Sequence, residues 1–382
     1  MKIILAPDSF KDAVTAEEAC QAMAAGIRRA CPDAEILALP MADGGEGTVQ
    51  ALLAARGGKL ERTSVTGPLP GQQVQAAWGR LADGETAVIE MAAASGLELV
   101  ARADRNPWHT TTYGTGEVIR AALDAGCRKI ILGIGGSATN DGGVGMAMAL
   151  GGRFLDSQGQ SIGLGGGTLS DLAHIDLSRL DPRLQDIEII VASDVTNPLV
   201  GDQGVSAVFG PQKGADPDMV AALDRNLRQL ATCAKKDLAL AWDMAQCPGG
   251  GAAGGLGAGL MAFLGAKLQA GIDLVIEETQ MVKHCQGADY IFTGEGSLDG
   301  QSVFGKTPQG VARVGHQAQV PVIALAGQIG EGAEALYEEG VQAIFAIGRG
   351  PSTLEEALAE TAENLEQTCE NVMRLLNRHA NN

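Results

Sequence analysis

Short apolar runs alternate with stretches of helical periodicity at the beginning of the chain. The pattern predicts strands at residues 2–6 and 35–39 and helices at residues 15–30 and 47–56. Thr15 stands at the N-cap position of the first helix, and Glu18 stands three residues later, where a capping box needs it. Strands that alternate with helices in this way form parallel sheets. This region therefore predicts an α/β fold with a parallel sheet.

The pattern changes in the middle of the chain. Apolar stretches at residues 74–80 and 86–91 flank Ala82-Asp83-Gly84, a turn sequence that predicts an antiparallel hairpin. Further strands are predicted at residues 129–134 and 187–192, and helices at 218–237, at 256–267 and from Val144 onward. Hairpin and strand–helix units together indicate a mixed α/β domain.

Strand–helix alternation returns towards the C-terminus. Strands are predicted at residues 289–293, 320–326 and 341–347, and a last helix at residues 353–377. We therefore infer an α/β protein of two domains. Residues 1–66 and 288–382 form a discontinuous parallel-sheet domain, and residues 67–287 form a mixed α/β domain inserted into it. A chain of 382 residues is long enough for two such cores.

Composition narrows the class of protein. Hydrophobic residues make up 45% of the chain, which is typical of a globular protein. The net charge of −18 argues against a nucleic-acid partner, which needs a basic surface. No uninterrupted apolar stretch is long enough to span a membrane. The 7 cysteines are scattered without a CxxC pair, as expected for reduced thiols in the cytoplasm.

Glycine is the residue type that changes this picture most. It supplies 53 of 382 residues, about twice the usual share of roughly 7%. Glycines, carboxylates, hydroxyls and lysines concentrate in six short runs, four of which contain glycine: PDSFKD from Pro7, ADGGEGT from Ala42, GIGGSATNDGG from Gly133, SDVTNPL from Ser193, PGGGAAGG from Pro248 and TGEGSLDGQSVFGKT from Thr293.

These runs have the chemistry that phosphoryl transfer requires. Glycine lets the backbone approach a ligand closely, and successive exposed N–H groups bind anions. Carboxylates beside an anion site suit a divalent cation between them. Most of the runs follow predicted strands, and open parallel sheets bind ligands at the carboxyl ends of their strands. We therefore expect the runs to converge on a cleft between the two domains.

Two formal motifs fall within these runs. Gly300 to Thr307 matches the P-loop pattern GxxxxGK[ST], although GEGSLD separates it from the predicted strand that ends at Thr293. Gly133 to Ala138 matches the dinucleotide fingerprint GxGxx[GA], with Asp156 standing where a ribose-binding acid would be. Each pattern alone is weak evidence for its fold.

Taken together, the runs resemble one family. PDSFK, MADGGEGT, GIGGSATNDGG, SDVTNPL, FGPQKGA (from Phe209), PGGGAAGG and TGEGSLDGQSVFGK are similar to those of the type-1 glycerate kinases, in order and over essentially the whole chain. The resemblance implies ATP-dependent phosphorylation of D-glycerate at the 2-hydroxyl, giving 2-phosphoglycerate. It also implies a discontinuous Rossmann-like domain with a second α/β domain inserted.

Kinase chemistry asks for a residue that orients or deprotonates the attacking hydroxyl and for cations near the transferred group. Asp194, at a predicted strand end, is the candidate for the first role, and an acid that only caps a turn is the alternative. Lys11 and Lys306 are candidates for contacts with phosphate or carboxylate, although lysines are usually solvated.

Glycerate and Mg²⁺ need carboxylates, hydroxyls and N–H groups. The substrate-binding candidates are Asp43, Gly44, Gly45, Glu46, Glu295, Ser297 and Asp299. The candidate metal ligands are Asp194, Asp141 and Glu295, since Mg²⁺ prefers one or two carboxylates together with phosphate oxygens and water. Helix capping and hydrogen bonding within turns are the structural alternatives for these acids.

The phosphates of ATP need a cradle of N–H groups. The candidates are Gly135, Gly136, Ser137, Thr139, Asn140, Lys213, Gly250 and Gly251. N-capping of a following helix, or close packing of glycines, would explain the same residues without a ligand. We expect the inserted domain to hold the phosphates and the terminal domain to hold most of the glycerate.

Two other functions remain open on the sequence alone. One is an NAD-linked hydroxy-acid oxidoreductase built on Gly133–Ala138, and the other is a regulator that binds nucleotides or sugar phosphates without catalysis. The oligomeric state, monomer or homodimer, does not follow from the residues.

Overall fold

The structure, a computed structural model, describes residues 1–300, 302 and 305–380. Its strands are β1 (Lys2–Leu5), β2 (Glu35–Ala38), β3 (Gly58–Thr66), β4 (Gln73–Leu81), β5 (Thr86–Glu90), β6 (Lys129–Gly133), β7 (Arg153–Leu155), β8 (His174–Asp176), β9 (Glu188–Ala192), β10 (Lys267–Gln269), β11 (Tyr290–Leu298), β12 (Val322–Ile329) and β13 (Val341–Ala346).

Its α-helices are α1 (Ala16–Ala30), α2 (Thr48–Arg56), α3 (Ala92–Ser95), α4 (Tyr113–Asp124), α5 (Val144–Ala149), α6 (Val205–Phe209), α7 (Pro217–Asp237), α8 (Leu256–Leu264), α9 (Gly271–Glu278), α10 (Met281–His284), α11 (Thr307–Ala318), α12 (Leu354–Ala359) and α13 (Thr361–Ala380). Among the described residues, no helix is both long and apolar enough to cross a membrane.

The chain divides into two compact units. The terminal unit consists of residues 1–43, 50–57 and the chain from Ala270 onward, and the inserted unit consists of residues 44–49 and 58–269. The expected borders after residues 66 and 287 both lie further along the chain than these. The difference arises because β3 pairs with β4 of the inserted unit, whereas α9 packs on α11 of the terminal unit.

The terminal unit is built on a parallel sheet of order β13-β12-β11-β1-β2. The α/β class predicted from the sequence is therefore confirmed. Helix α1 begins with the predicted capping box of Thr15 and Glu18. Gly26 lets α1 and α13 pack closely, because a Cβ at this position would lie 1.9 Å from the carbonyl oxygen of Glu366. The buried core lies between these helices and the sheet.

The inserted unit is built on a mixed sheet of order β10-β9-β6-β5-β4-β3. Strands β3, β4 and β5 are antiparallel, which confirms the predicted hairpin, and β5, β6, β9 and β10 are parallel. Strands β7 and β8 form a separate antiparallel pair. The carboxyl ends of β5, β6 and β9 therefore lie along one edge of this sheet.

Three elements differ from the sequence expectation. No strand was predicted where β3 lies, because Gly58–Thr66 is an edge strand with mostly polar side chains. Strand β11 continues through Gly294 and Gly296 to Leu298, where a loop was expected. The missing side chain of Gly294 lets β11 lie close to β12, since a Cβ at this position would be 2.3 Å from the Leu325 carbonyl oxygen. The last helix is divided at Glu360 into α12 and α13.

Candidate active site

Acidic side chains of the terminal unit follow three neighbouring strands of its sheet. Asp8 comes after β1, Asp43 comes after β2, and Glu295 lies near the end of β11. Strand β1 lies between β11 and β2, so the carboxyl ends of all three strands meet at one edge. Asp43 and Glu295 are both close enough to Asp8 to raise its pKa by charge repulsion. We call Asp8, Asp43 and Glu295 the carboxylate cluster.

Asp8 is the centre of the carboxylate cluster and the main residue that the sequence analysis missed. Burial, followed by repulsion from Asp43, raises the pKa of Asp8 to about 7. Its carboxylate accepts hydrogen bonds from the hydroxyl of Thr307 and from the Ser9 amide, and these oppose the shift. A carboxyl group with a pKa near neutrality can take up or release a proton under working conditions. Its place directly after β1 was the available signal.

Glu295 is held in place by neighbours from the following loop. The Ser302 hydroxyl donates to its Oε1 atom at 2.8 Å, and the Nζ atom of Lys306 lies 4.0 Å from the same oxygen. Burial raises the pKa of Glu295, while Ser302 and Lys306 lower it. Ser302 also accepts a hydrogen bond from the Asp299 amide at 3.2 Å, which ties Asp299 to the same loop.

The two proposed catalytic lysines also belong to the terminal unit. Lys306 precedes α11, and its side chain is 35% exposed. Lys11 is exposed and lies beside β11, since a Cβ on Gly296 would come within 3.4 Å of the Lys11 amide nitrogen. Ser297 of β11 is exposed as well. This unit therefore brings together Lys11, Asp43, Glu295, Ser297, Asp299 and Lys306 from the predicted set.

The P-loop interpretation is only partly described, because Gln301, Val303 and Phe304 lie outside the described residues. The objection that GEGSLD separates the motif from its strand is largely removed, since β11 reaches Leu298. The motif then leads into α11 at Thr307, whose hydroxyl donates to Asp8 of the neighbouring strand end. Strand, loop, helix and an adjacent acid thus occur in the order that the pattern implies.

In the inserted unit, the Gly44–Val49 segment packs against the end of β6. A Cβ on Gly133 would lie 2.6 Å from the Gly44 carbonyl oxygen, and one on Gly135 would lie 3.2 Å from the Gly45 Cα atom. At Gly133 a side chain would have to displace the Gly44 backbone, so glycine favours this contact. The segment brings Gly44, Gly45 and the exposed Glu46 next to the Gly135–Gly136 loop. Two of the predicted runs therefore meet within this unit.

Glu90, which the sequence analysis did not single out, fixes the same segment. It is the last residue of β5, and its Oε1 atom accepts a hydrogen bond from the Val49 amide at 2.9 Å. Backbone amides of Gly47 and Thr48 also donate to it. Burial raises the pKa of Glu90 despite these bonds. The residue caps the start of α2 and holds the Gly44–Val49 segment in place.

Gly135 and Gly136 are exposed at the end of β6. The Gly136 carbonyl accepts a hydrogen bond from the Leu97 amide, and the Ala138 amide donates to the Ser95 carbonyl, so the loop is anchored on both sides. Within the described residues, the N–H groups of Gly135 and Gly136 donate no hydrogen bond to the protein. Two exposed, unpaired N–H groups on an anchored loop can bind an anion.

The neighbouring nucleotide-binding candidates are buried. Ser137 is 8% exposed and Lys213 is 2% exposed, while Thr139 and Asn140 are fully covered. Lys213 donates to the Ser137 hydroxyl and to the Thr139 carbonyl, both at 2.7 Å. The side chains of these four residues therefore contact the protein interior, and nucleotide binding by them stays a prediction. Only the backbone of Gly135 and Gly136 is presented to solvent.

Asp141 has the contacts of a structural carboxylate. It is 1% exposed, and it accepts hydrogen bonds from Thr112, at both amide and hydroxyl, and from the amides of Gly143 and Gly145. It thereby caps the starts of both α4 and α5. Burial raises its pKa. The anion position at the start of α5 is thus filled by the protein itself, and the contacts give no support to Asp141 as a metal ligand.

The Gly250–Gly251 pair supports the loop that carries Asp194. Both glycines are buried, and a Cβ on Gly251 would lie 2.4 Å from the Pro198 carbonyl oxygen. The Gly251 amide donates to the Asn197 carbonyl at 3.0 Å. Asp194 itself follows β9 and is exposed. Close packing, the structural alternative, accounts for these glycines.

The same acidic residues are the candidates for holding a metal ion. Among the residues that the structure describes, no group of three or more His, Cys, Asp or Glu side chains is arranged to hold a metal ion. Mg²⁺ needs only one or two protein carboxylates, because phosphate oxygens and water complete its shell. The carboxylate cluster supplies hard oxygen donors of this kind, so its residues fit Mg²⁺ brought in with a phosphate group.

The dinucleotide fingerprint does not continue as a dinucleotide site. The helix after Gly133–Ala138 starts only at Val144, and Asp141 rather than a ligand occupies its beginning. Asp156, the expected ribose acid, accepts hydrogen bonds from the Gln158 and Gln160 amides in a turn. The structural role of both acids removes the basis of the NAD-linked interpretation.

Comparison with known proteins gives a consistent result. The family model described as the glycerate kinase family matches residues 3–377. The chain is 52% identical over 372 residues to glycerate kinase of Bacillus subtilis (strain 168), covering 97% of each chain. It is 50% identical over 376 residues to glycerate 2-kinase of Escherichia coli (strain K12), covering 98% of each. A crystal structure assigned to glycerate kinase 2 from Salmonella typhimurium LT2 superimposes with a TM-score of 0.89 at 48% identity, covering 100% of this chain and 99% of that one.

Proposed function

Because the chain belongs to the glycerate kinase family, we propose that it transfers the γ-phosphoryl group of ATP to the 2-hydroxyl of D-glycerate. The products are 2-phosphoglycerate and ADP. The observation that carries the proposal beyond family membership is the carboxylate cluster with Lys306 beside it, at the carboxyl edge of the terminal sheet. Acids and a cation at that edge supply what phosphoryl transfer asks of a protein: positioning and charge stabilisation.

We assign the anionic and hydroxyl groups of glycerate to the terminal unit. Lys11 or Lys306 binds the substrate carboxylate, and Ser297 and Asp299 bind its hydroxyls. Asp43 and Glu295 hold Mg²⁺, which when bound neutralises phosphate charge. In the inserted unit, the Gly44–Glu46 segment is a further candidate for substrate binding. The N–H groups of Gly135 and Gly136, which donate no hydrogen bond within the described residues, receive a phosphate of ATP.

We propose Asp194 as the residue that orients the attacking hydroxyl and accepts its proton. Its exposure and its place directly after β9 support this role. Asp8 is the second candidate for the role, since its raised pKa makes it a competent proton acceptor near neutral pH. The two assignments are separated by the variants described in the Discussion.

A specific observation favours a second arrangement of the nucleotide. Lys306 and Thr307 end a P-loop-like sequence at the start of α11, and Thr307 donates to Asp8. In that arrangement Lys306 contacts the phosphates, and the terminal unit holds them instead of Gly135 and Gly136. The reaction is the same in both arrangements.

The proposal is tested by measuring ADP formation with D-glycerate, with L-glycerate and without acceptor, each with and without Mg²⁺. Phosphorus NMR of the product then locates the new phosphate. We expect Mg²⁺-dependent turnover on D-glycerate with phosphate on the 2-oxygen. A 3-phosphate product would overturn the proposed regiochemistry, and the absence of glycerate-dependent ADP would overturn the proposed activity.

A further inference from the structure

Lys213 is a cation that the proposed reaction does not use directly. It ends a short 3₁₀ helix, Pro211–Lys213, in the inserted unit. The side chain is buried, and its Nζ atom lies 2.7 Å from both the Ser137 hydroxyl and the Thr139 carbonyl oxygen. Lys213 therefore connects two segments that are far apart in sequence, and it contacts the protein rather than solvent.

The segment that Lys213 holds, Ser137–Asn140, adjoins the exposed Gly135–Gly136 loop. Ala138 is bonded to Ser95 and Thr110, and the side-chain amide nitrogen of Asn140 donates to Ser206. The Thr139 hydroxyl and the Oδ1 atom of Asn140 are buried without a hydrogen-bond partner. Each unpaired buried group weakens the segment. Within the described residues, the two hydrogen bonds from Lys213 are those of the Ser137 hydroxyl and the Thr139 carbonyl oxygen, so they add to the backbone anchoring of Ala138 and fix the residues on either side of it.

A buried ammonium group is a costly way to hold a segment together. Burial lowers the pKa of Lys213 to about 7, and Asp141 opposes the shift. Apolar residues of similar volume often stabilise a core at least as well as buried charges. A lysine at this position is therefore better explained by the geometry it imposes on the loop than by a gain in stability.

We propose that Lys213 is a positioning residue. By holding Ser137 and Thr139 it keeps the N–H groups of Gly135 and Gly136 in the geometry that binds an anionic phosphate of the nucleotide. The inference rests on the proposed function, and it gives Lys213 an indirect role in place of the direct ATP contact expected from the sequence.

The test compares three variants of the full chain by calorimetric titration with a nonhydrolysable ATP analogue and by steady-state kinetics. Lys213→Met removes the ammonium group and keeps most of the volume. We expect the analogue Kd and the KM for ATP to rise about tenfold, with kcat and the KM for D-glycerate within about twofold, the scale of losing one to two hydrogen bonds. Ser137→Ala removes one acceptor, and we expect a rise of about threefold.

Lys235→Met is the matched control, because Lys235 is an exposed lysine of α7 in the same unit. It should leave the analogue Kd unchanged. An unchanged Kd in Lys213→Met would overturn the inference, as would a lower melting temperature accompanied by equal losses for both substrates. If Lys213→Met does not fold, an unchanged Kd in Ser137→Ala overturns it instead. Failure of the proposed function is distinguishable, since the unaltered protein would then form no ADP with D-glycerate.

Discussion

The carboxylates of the terminal unit differ in how far the sequence predicts their role. Asp43 and Glu295 were identifiable because each stands in a glycine-rich run. Asp8 also stands in one of the six runs, PDSFKD, but the sequence does not show its environment, which is made by residues distant in the chain, with Thr307 donating to it across the sheet edge. Burial and charge repulsion, which set its pKa, depend on tertiary structure.

The raised pKa of Asp8 predicts how stability depends on pH. The folded state binds this proton up to about pH 7, whereas the ordinary pKa of an aspartate is 3.8. The folded protein therefore holds more protons between these values, so its free energy of unfolding falls as pH rises through that window. The shift corresponds to about 4 kcal/mol at most.

Asp8→Asn should make this slope shallower, and urea unfolding between pH 4 and 8 measures it. Part of the slope should remain, because burial also raises the pKa values of Glu90, Asp141 and Glu295. Asp33→Asn, at an exposed aspartate of the same unit, is the control and should keep the slope of the unaltered protein. An Asp8→Asn protein with the original slope would show that another group holds the proton.

Asp194 is the residue on which the proposed chemistry depends most directly. Asp194→Asn keeps the size of an exposed side chain, so folding should be nearly unaffected. Turnover should fall by roughly 10²-fold or more, the usual effect of losing a general base. Initial rates at saturating ATP and D-glycerate give the comparison. Near-normal turnover would remove Asp194 from the chemistry and leave Asp8 as the candidate.

At the level of elements, local signals predicted the fold where they were strong. The capping box at Thr15, the hairpin turn at Asp83-Gly84 and the apolar strands of both sheets all appear in the structure. The polar edge strand β3 was not predicted, because edge strands need little apolar surface. The extension of β11 was not predicted, because Gly294 is explained by close contact with β12 and Gly296 by the approach of Phe10 and Lys11, and a sequence shows neither contact.

The sequence did not decide whether the glycines at residues 249–255 serve ligand binding or close packing. Gly254 has φ +71°, and a Cβ there would lie 1.9 Å from the Thr139 carbonyl oxygen. Gly254→Ala should therefore push the segment after Ser137 away and lower the free energy of unfolding by several kcal/mol, combining backbone strain with overpacking.

Gly265→Ala is the matched control for this prediction, because Gly265 has φ +67° with open space around its Cβ position. Only the backbone strain of about 1–2 kcal/mol should remain there. Thermal unfolding compares the two variants. Equal losses would mean that the contact with Thr139 contributes nothing.

For the whole molecule, the sequence predicted the chemistry better than the placement of its groups. The strand-end rule located the acids and lysines of the terminal unit, because a parallel sheet of this order leaves few other positions for them. The same rule did not distinguish backbone groups that face solvent from side chains that are buried under them. Ser137, Thr139, Asn140 and Lys213 were therefore expected to bind the nucleotide, although the structure buries them.

The overall charge sharpens the question of which unit holds the nucleotide. Both proposed substrates are anions and the chain carries a net charge of −18, so each anionic group needs a local source of positive charge or free N–H groups. Lys306 is such a source, and Gly135 with Gly136 is another. If glycerate binds at the terminal unit, Lys306→Met should raise the KM for D-glycerate by about tenfold or more. The Kd of a nonhydrolysable ATP analogue should then stay within about twofold.

Lys283→Met, at an exposed lysine of the same unit, removes the same charge from the surface and should change neither constant. The P-loop-like arrangement predicts the opposite pattern for Lys306→Met, because the analogue would lose a charge-assisted contact with its phosphates while glycerate binding stayed the same. A weaker analogue Kd with an unchanged KM for D-glycerate would therefore move the nucleotide phosphates to Lys306 and Thr307, and the role of Gly135 and Gly136 would have to be reassigned.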